Sequence, residues 1–390
     1  MPENPLHQLD NRPRRQPAPG PFRVAAVLGG SFAGLLAARV LADHAQRVVI
    51  LEPDTPTGPF ARATVPQSRH GHFLQPDGLT LLEGWFPGFT RDARAHGAAL
   101  AGPGQHRLFL DGVPVEFPDA TMLMASRPLL EHEIRRRVTA LPNVDVLAAR
   151  ATGLGYRNGA VNAINYRVGS GGESTLEVDL AVDAMGRASR MTRRLEYDGF
   201  RVPISQRVPV GLGYTTTLFT RPAEPREPRI TCALNQFSAS QTAGTETAPA
   251  GIALYAIEGN RWQVVTMTYG QNRHATTRDD VRDIAATSPE VFGAAMIGDP
   301  VGQAATFYHR ASHRRPVTHP DDLPTGLLFI GDSLASLNPL RGEGMWSAAK
   351  QAAVLSDYLA TTDEPAAQSR RCVRLLESFV DEVWAAELRP

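Results

Sequence analysis

The sequence predicts an α/β protein in which a parallel sheet is interleaved with a mostly antiparallel β domain and followed by a C-terminal helix. Three observations lead to this fold class. A strand, a glycine turn, a helix and a second strand follow one another over residues 23–52. Short alternating segments with the period of β-strands fill much of the middle of the chain. A further apolar strand that ends in Gly331-Asp332 then returns the chain to the parallel sheet.

The first unit of this fold is the segment RVAAVLGGSFAGLLAARVLADHAQRVVILEPD, which starts at Arg23. Its two ends are apolar strands, and the apolar residues between them recur with helical spacing, so that one helix face packs on the sheet. This pattern is typical of a βαβ unit. Residues 1–22 contain several Pro and Arg residues but no apolar core of signal-peptide length, and they predict a disordered leader.

The next elements alternate between helices and strands. Residues 61–78 have no clear period and predict a loop over something polar, whereas 79–86 and 128–138 predict helices. The segment NVDVLAA predicts a strand. Residues 151–182, broken by Asn158-Gly159, predict a small antiparallel meander that leads into the apolar strand DLAVDAMG.

The remaining elements define a second domain and a return to the first. Strand-like segments form a β domain expected to bind a ligand; they are 106–117, 208–220, 228–237, 251–258 and 261–269. After LPTGLLFIGDS, helices are predicted from about Gly344 to Ala360 and over 366–386. The predicted division is a parallel-sheet domain (23–104, 125–198 and 306–362), a β domain (105–124 and 199–305) and a C-terminal helix (363–390).

Composition narrows the possible functions. The 390 residues include 42% hydrophobic and 21% charged residues, which is typical of a globular enzyme. Forty basic residues balance forty acidic ones, which does not favour nucleic acid or anionic lipid as a partner. Cys232 and Cys372 are too few for a disulfide framework, which favours a cytoplasmic location. The sequence contains no apolar stretch of the ~20 residues that cross a membrane.

The glycine turn of the first unit predicts a dinucleotide site. Gly29, Ser31 and Gly34 occupy the three positions of the G-x-G-x-x-G pattern, with Gly30 as an additional glycine. Such a turn lets the backbone approach a pyrophosphate, which the N-terminus of the following helix stabilises. Glu52 lies 18 residues after Gly34, close to the position of the acid that binds the ribose hydroxyls.

The late segment FIGDSLASLNPLRGEGMW distinguishes between nicotinamide and flavin dinucleotides. It resembles the flavoprotein monooxygenases built like para-hydroxybenzoate hydroxylase, especially their bacterial natural-product branch. The segments RATVPQSRHGH and SRPLLEHEIRRRV are similar to the same branch. The resemblance covers nearly the whole chain after residue 22. It implies a Rossmann-like FAD-binding domain of the glutathione-reductase type, with a β meander, and a β domain that binds substrate.

The resemblance also implies roles for individual residues. Asp332 is expected to bind the ribityl chain of FAD, and Pro339 to Gly344 are expected to surround the isoalloxazine ring, while Arg62 and Arg127 are expected near the phosphates and the flavin. The full set expected to contact FAD is Gly29, Gly30, Ser31, Ala33, Gly34, Glu52, Arg62, Arg127, Asp332, Pro339, Gly342, Glu343, Gly344 and Met345. The sequence identifies no catalytic residue, and His72 and Arg341 are the two candidates.

The function implied by the resemblance is that of an FAD-dependent monooxygenase. NADH or NADPH would reduce FAD, and O2 would add at flavin C4a. The resulting hydroperoxide would transfer one oxygen atom to a small hydrophobic secondary metabolite, by hydroxylation or epoxidation. The family's central Asp-Gly pair appears here as Met185-Gly186. The sequence therefore leaves open whether NADH, NADPH or a separate reductase supplies the electrons.

Other functions remain compatible with the same motifs. These are an FAD-dependent reductase or dehydrogenase of the geranylgeranyl reductase kind, a cyclase that binds flavin without redox chemistry, and a nicotinamide-dependent dehydrogenase that lacks flavin. Halogenation is disfavoured because the related halogenases use a lysine near the flavin, whereas Lys350, the only lysine in the sequence, lies within a predicted helix. The expected partners are a small-molecule substrate and O2, and the oligomeric state does not follow from the sequence.

The sequence says least about the substrate cavity. Tyr214, Tyr255, Trp262 and His309 are its predicted lining residues because they lie on the β segments or just before the returning strand. No metal site is expected, because His309 and His313 form an isolated pair without a third ligand.

Overall fold

The computed structural model describes residues 20–62, 64–116, 120–202, 204–221, 229–234, 249–270, 275–315, 317 and 319–388. The strands in chain order are β1 (Phe22–Leu28), β2 (Ala45–Leu51), β3 (Phe73–Leu74), β4 (Ala99–Ala101), β5 (His106–Leu110), β6 (Val113–Val115), β7 (Met122–Met124), β8 (Val144–Leu147), β9 (Arg150–Arg157), β10 (Ala160–Arg167), β11 (Glu173–Glu177), β12 (Leu180–Asp183), β13 (Gln206–Thr220), β14 (Ile230–Leu234), β15 (Pro249–Ile257), β16 (Arg261–Tyr269), β17 (Pro300–Arg314), β18 (Leu327–Phe329) and β19 (Ala335–Ser336).

The α-helices of the described residues connect or cover these strands. They are α1 (Phe32–Ala42), α2 (Pro76–Trp85), α3 (Phe89–Ala95), α4 (Arg127–Thr139), α5 (Met191–Tyr197), α6 (Arg278–Ala286), α7 (Glu290–Ala295), α8 (Gly344–Ala360) and α9 (Ser369–Glu387).

A parallel sheet forms the centre of the first half of the molecule. Its strand order is β18-β12-β1-β2-β8, and every neighbouring pair is parallel. Helix α1 packs its buried Leu35, Leu36 and Leu41 into the core around this sheet. Because the carboxyl ends of parallel strands meet at one edge, Gly29, Glu52 and the turns after β12 and β18 converge there, which is the edge where open α/β sheets bind ligands.

An eight-stranded sheet forms the second half, in the order β19-β17-β13-β16-β15-β14-β5-β6. Its neighbouring strands are antiparallel except for β14 and β5, which pair in parallel. One face contacts the loop that connects β2 to β3, since Thr216 on β13 forms a hydrogen bond with His70. The other face is covered by α6 and α7, whose Val281 and Phe292 are fully buried. The two halves have separate hydrophobic cores.

The predicted fold class is confirmed, including the β meander, which is the antiparallel sheet β11-β10-β9. The helix predicted at 128–138 spans Arg127–Thr139, and the helix from Gly344 to Ala360 has the predicted bounds. The last helix begins at Ser369 instead of residue 366. The predicted leader lies outside the described residues except for its last three residues, as does part of the segment 228–237.

Two features of the second half did not follow from the sequence. Strand β17 is fifteen residues long and belongs to the eight-stranded sheet, so the predicted domain boundary at residue 306 falls inside it. Helix α6 was missed, although Thr277 and Asp280 form a capping box that marks its start. The division into domains stays a prediction.

Candidate active site

The turn between β1 and α1 has the close packing that a dinucleotide motif requires. Gly29 has a φ of +102°, and a Cβ there would lie 2.6 Å from the carbonyl oxygen of Ala184. A Cβ at Gly34 would overlap the carbonyl oxygen of Gly29. Ser31, by contrast, has a φ of −90°, which any residue adopts. The backbone therefore tolerates a serine at the position where the motif usually has its middle glycine.

The N-terminus of α1 is left available for an anion. Ser31 is the N-cap residue, yet its side chain makes no capping hydrogen bond. Its hydroxyl instead donates to Oε1 of Glu131 at 2.5 Å. The first backbone N–H groups of a helix have no partner within the helix, and their dipoles favour negative charge. The geometry therefore fits a pyrophosphate at this turn.

Glu52 lies at the end of β2, beside the same turn. Its carboxylate accepts hydrogen bonds from the backbone N–H of Gly30 at 2.8 Å and of Asp54 at 2.9 Å. Arg62 pairs with Oε2 of Glu52 at 2.8 Å, and both side chains are buried. A carboxylate has about four acceptor positions, so these contacts leave capacity for the ribose hydroxyls.

Helix α4 contributes a row of charged side chains to this end of the site. Arg127 pairs with Glu131 at 2.7 Å, and Glu131 also binds Arg62 at 3.3 Å. Arg135 donates from Nη2 to the carbonyl oxygen of Gly30 at 2.5 Å, while its buried Nη1 has no hydrogen-bond partner. Burial, with the charge of Arg62, lowers the pKa of Arg135 despite nearby carboxylates.

A cleft opens between α4 and the loop after β2. It is lined by Pro56, Gly58, Phe60, Arg62, Ser68, Arg127, Pro128, Glu131, His132 and Arg135. Among the described residues, neither Nη1 of Arg135 nor the uncapped N-terminus of α1 has an anionic hydrogen-bond partner. The residues present therefore fit the diphosphate of a dinucleotide. Glu131 and Arg135 were missed in the sequence, although their spacing from Arg127 by four and eight residues places all three on one helix face.

Asp332 lies in the turn after β18, next to the start of α1. Gly331 has a φ of +68°, and a Cβ there would lie 2.6 Å from the Cβ of Ala33. Gly331 donates its N–H to Gln351 of α8 at 2.7 Å, which fixes the turn. Burial raises the pKa of Asp332, although the positive charges of Arg127 and Arg187 oppose that shift. Asp332 is therefore close to Arg127, whose Nη2 also donates a hydrogen bond to the hydroxyl of Ser31 at 3.4 Å.

The turn from Pro339 to Gly344 leads into α8, which begins at Gly344. Gly342 has a φ of +64°, and a Cβ there would lie 2.9 Å from the ring of Phe73. Arg341 is turned away toward α9, where its Nη2 donates to the carbonyl oxygen of Ala386 at 2.5 Å.

Two side chains where this turn meets α8 are partly or fully withdrawn from solvent. Glu343 has a buried Oε2 without a hydrogen bond, and burial raises its pKa. Met345 in the first turn of α8 is buried.

The loop before β3 brings two histidines against the eight-stranded sheet. His70 forms a 2.9 Å hydrogen bond with Thr216, and its ring meets that of Tyr214 edge-on at 4.5 Å. Burial lowers the pKa of His70 to about 4. Burial and the charge of Arg127 lower the pKa of His72 to about 3. Both rings are therefore neutral at neutral pH, and His72 does not supply a cationic acid there.

The predicted substrate residues do not share one surface. Tyr214, Phe307 and His309 lie on the sheet face that contacts His70, because their positions on β13 and β17 are in register. Tyr255 is on the same face and stacks on Phe73 at 5.9 Å. Trp262 pairs in register with Phe219, whose ring contacts Arg282 of α6 at 5.9 Å. Trp262 therefore belongs to the opposite face, under α6 and α7.

The sequence and fold match known flavoproteins. The family model described as FAD binding domain matches residues 22–372. Protein Rv3254 of Mycobacterium tuberculosis H37Rv is 30% identical over 345 residues, which cover 84% of this chain and 71% of that protein. The chain belongs to this FAD-binding family and is an FAD-dependent oxidoreductase, as the resemblance to the para-hydroxybenzoate hydroxylase group predicted.

Similar solved structures support the same fold. The flavin-dependent brominase Bmp2 has a TM-score of 0.66 at 15% identity, covering 92% of this chain and 82% of that one. The 2-methyl-3-hydroxypyridine-5-carboxylic acid oxygenase has a TM-score of 0.64 at 17% identity, covering 92% and 86%. PqsL of P. aeruginosa, in complex with 2-aminobenzoylacetate, has a TM-score of 0.63 at 17% identity, covering 92% and 90%.

The described part of the chain lacks two further features. None of its helices is both long enough and apolar enough to span a bilayer. Nor does it contain a group of three or more His, Cys, Asp and Glu side chains that could hold a metal ion.

Proposed function

We propose that this flavoprotein is a monooxygenase that inserts one atom of O2 into a small hydrophobic secondary metabolite. The observation that carries the proposal is the continuity of the site. Groups suited to the phosphates and the ribityl chain lie at one edge of the parallel sheet, and Arg127 reaches both Ser31 and the neighbourhood of Asp332. The face of the eight-stranded sheet that carries Tyr214 forms the other side of the site. Burial raises the pKa of Tyr214, and Asp332 is close enough for its negative charge to raise that pKa further.

The residues divide the binding of FAD among them. The N-terminus of α1 and the side chains of Arg62, Arg127 and Arg135 would hold the diphosphate, and Glu52 would hold the adenosine ribose. Asp332 would accept hydrogen bonds from the ribityl hydroxyls. Bound FAD supplies the electron transfer and the activation of O2, which no side chain of the protein can supply.

The protein's own contribution is charge stabilisation and exclusion of water. Helix α8 begins at Gly344, so its positive end faces the turn expected to contact the flavin ring and would stabilise negative charge there. His70, Tyr214 and Phe307 pack against one another and would present a largely apolar wall to the substrate. Such a site needs no side-chain nucleophile, which agrees with the neutral, buried histidines.

NADH or NADPH is the expected reductant, in line with the family. Met185 stands where the family usually has an aspartate, and its backbone N–H is bound by the buried carboxylate of Asp183 at 3.0 Å. Asp183 therefore holds the shape of the turn and is withdrawn from solvent. This arrangement is also compatible with a separate reductase that supplies the electrons.

Halogenation is the other flavin chemistry suggested by a similar structure. Lys350, the only lysine of the sequence, is on α8 and pairs with Asp77 of α2 at 3.2 Å. It lies nearly two helical turns beyond Gly344 and is engaged with a surface carboxylate. Oxygenation is therefore the better supported reaction.

The test uses FAD-loaded protein, first mixed anaerobically with NADH or NADPH and then with isotopically labelled O2 and a panel of small aromatic and isoprenoid metabolites. Flavin bleaching, O2 consumption and one labelled oxygen atom in a product are the expected results. Turnover that continues undiminished without O2 would instead identify a reductase or dehydrogenase. Turnover with a flavin analogue that cannot be reduced would identify a cyclase, which needs no redox chemistry and for which Met185 is the motivating observation.

A further inference from the structure

A group of basic and histidine side chains lies beside the FAD residues, where the turn after β12 meets β13 and β17. We call it the junction cluster; its members are Arg187, Arg207, His309, His313 and Arg315. Arg315 joins its parts, because it donates hydrogen bonds to the carbonyl oxygens of Arg187 at 3.0 Å and Ser333 at 2.6 Å. Arg207 and His313 are direct neighbours on paired strands.

His309 has a fixed tautomer in this cluster. Nη1 of Arg187 lies 3.3 Å from Nδ1 of His309. A guanidinium group can only donate, so Nδ1 must accept and the ring proton must be on Nε2. Nε2 is buried and has no hydrogen-bond partner, and His309 as a whole is only 4% exposed. An unsatisfied buried donor is costly, so this N–H group is suited to an acceptor atom of a ligand.

The histidines of the cluster carry no charge at neutral pH. Burial and the charge of Arg187 lower the pKa of His309 to about 4, and burial with three neighbouring arginines lowers the pKa of His313 to about 4. Both are neutral at neutral pH. Nδ1 of His313 is buried and has no hydrogen-bond partner either.

The arginines of the cluster carry more positive charge than the nearby carboxylates balance. Within the described ranges, neither Arg187 nor Arg207 forms an ion pair, and the charge of Arg207 lowers the pKa of Arg187 further below the value set by burial. Burial lowers the pKa of both Arg187 and Arg315, and the negative charges of Asp332 and Asp183, respectively, oppose that shift. These two carboxylates are close to the arginines of the cluster. Two exposed arginines and two buried, neutral histidines thus leave the junction cluster with an excess of positive charge.

The junction cluster lies on the expected substrate side of the site. His309 lies on the same sheet face as Tyr214 and Phe307. Asp332 acts electrostatically on both Arg187 and Tyr214, so the cluster is close to the residue expected to bind the ribityl chain. A ligand held here would lie beside the flavin and outside the diphosphate site.

We propose that the junction cluster binds an anionic oxygen group of the substrate, a carboxylate or an ionised phenol or enol, through Nε2–H of His309 and the guanidinium groups of Arg187 and Arg207. The inference rests on the proposed function and narrows its substrate class to acidic metabolites. The phosphates of a nicotinamide dinucleotide have the same chemistry, so the experiment separates the two sources.

The experiment measures equilibrium binding to the FAD-loaded protein from the change in the flavin absorption spectrum. The probes are benzoate and 1-naphthoate, each compared with its neutral amide. At least one acid should bind about tenfold more tightly than its amide, because hydrogen bonds between charged groups are worth about tenfold or more in affinity. Arg187→Gln should reduce that preference, because it weakens binding of the acid more than binding of the neutral amide. Arg310→Gln is the matched control. Arg310 is exposed and follows His309 directly on β17, so its side chain lies on the opposite face of the strand.

Three outcomes would overturn the proposal: binding of acid and amide with equal affinity, no binding of either acid, or an unchanged preference in Arg187→Gln. A loss confined to NADH or NADPH, seen as a higher concentration for half-maximal flavin reduction, would assign the cluster to the dinucleotide and would also overturn it. His309→Gln, which retains a side-chain N–H donor, should keep more of the preference than His309→Leu. Because binding is measured without turnover, its failure is distinguishable from failure of the oxygenation test.

Discussion

At the scale of single residues, Arg135 shows how the protein is prepared for its cofactor. Its guanidinium group is buried, donates one hydrogen bond to the backbone of Gly30 and has no ion-pair partner among the described residues. A buried cation without a counter-charge is destabilising. The diphosphate of FAD would provide both the charge and the acceptor for the unsatisfied Nη1, so Arg135 is expected to contribute to affinity for FAD.

We therefore expect Arg135→Gln to weaken FAD binding by about tenfold or more, since a charged hydrogen bond contributes about 1.5–3 kcal/mol. The measurement is quenching of flavin fluorescence when apoprotein is titrated into FAD, after circular dichroism has verified the fold. Arg136→Gln is the control because that side chain is 49% exposed and, among the described residues, forms surface ion pairs with Asp92 and Glu133 alone. Equal affinity of the Arg135 variant and the wild type would remove Arg135 from the site.

Asp183 is a second residue with a measurable signature. It is fully buried, accepts hydrogen bonds from Ser189 and Met185, and burial raises its pKa from 3.8 to about 6. The folded state thus binds a proton more tightly than the unfolded state. The contribution of Asp183 to stability is therefore largest below about pH 4, falls as the pH rises from about 4 to about 6 and is level above that.

Asp183→Asn removes this dependence, so the variant should gain stability relative to the wild type as the pH rises. The expected change in the difference between pH 4 and pH 7 is on the order of 3 kcal/mol, from a shift of about two pKa units. Urea unfolding of both FAD-loaded proteins at the two pH values measures it. The hydrogen bonds lost in the variant change its free energy of unfolding equally at both pH values, so their effect cancels in the comparison. A difference that stays constant with pH would show that the pKa of Asp183 is the same in the folded and unfolded states.

At the scale of elements, the last turn of α9 holds the loop expected to contact the flavin ring. Glu387 is buried and accepts hydrogen bonds from the backbone N–H of Asn338 at 3.0 Å and the hydroxyl of Ser312 at 2.5 Å. Arg341 donates to the carbonyl oxygen of Ala386 in the same turn. The end of the C-terminal helix therefore joins the flavin loop to strand β17 of the eight-stranded sheet.

Glu387→Ala should destabilise the protein by about 1–3 kcal/mol, because it leaves the buried donors of Asn338 and Ser312 unsatisfied. It should also weaken FAD binding, since the loop from Asn338 to Gly344 loses its support. Urea unfolding and FAD titration measure the two effects. Glu382→Ala is the matched control on the exposed face of α9 and should change stability by less than about 0.5 kcal/mol. If the two variants behave alike, the last turn does not position the loop.

At the scale of the whole molecule, the sequence predicts best what local patterns determine. The βαβ unit, the turn at Asp332 and the start of α8 at Gly344 each follow from a glycine or a period within a few residues. The orientation of Arg341 toward α9 does not, because the two segments are 45 residues apart in the sequence. Which face Trp262 occupies depends on the register between β13 and β16, which no local pattern specifies.

The two halves of the molecule are joined by the site itself. The chain crosses between them before β5, after β6, before β13 and after β17, and it crosses again before and after β19. Contacts of His70 with Thr216, Arg187 with His309 and Glu387 with Ser312 then connect the halves. Because each half supplies groups that the other lacks, neither is expected to remain folded when the other unfolds.

We therefore expect FAD release and unfolding of the eight-stranded sheet to occur at the same urea concentration. Trp262 reports on that sheet, and its signal is the difference between the tryptophan fluorescence of wild type and Trp262→Phe. FAD at about 100 times its Kd should stabilise the native state by about 2.7 kcal/mol and move the Trp262 transition to higher urea by the same increment as flavin release. A Trp262 transition that precedes flavin release and ignores added FAD would show instead that the β domain unfolds independently, and that the contacts across the site do not couple the two cores.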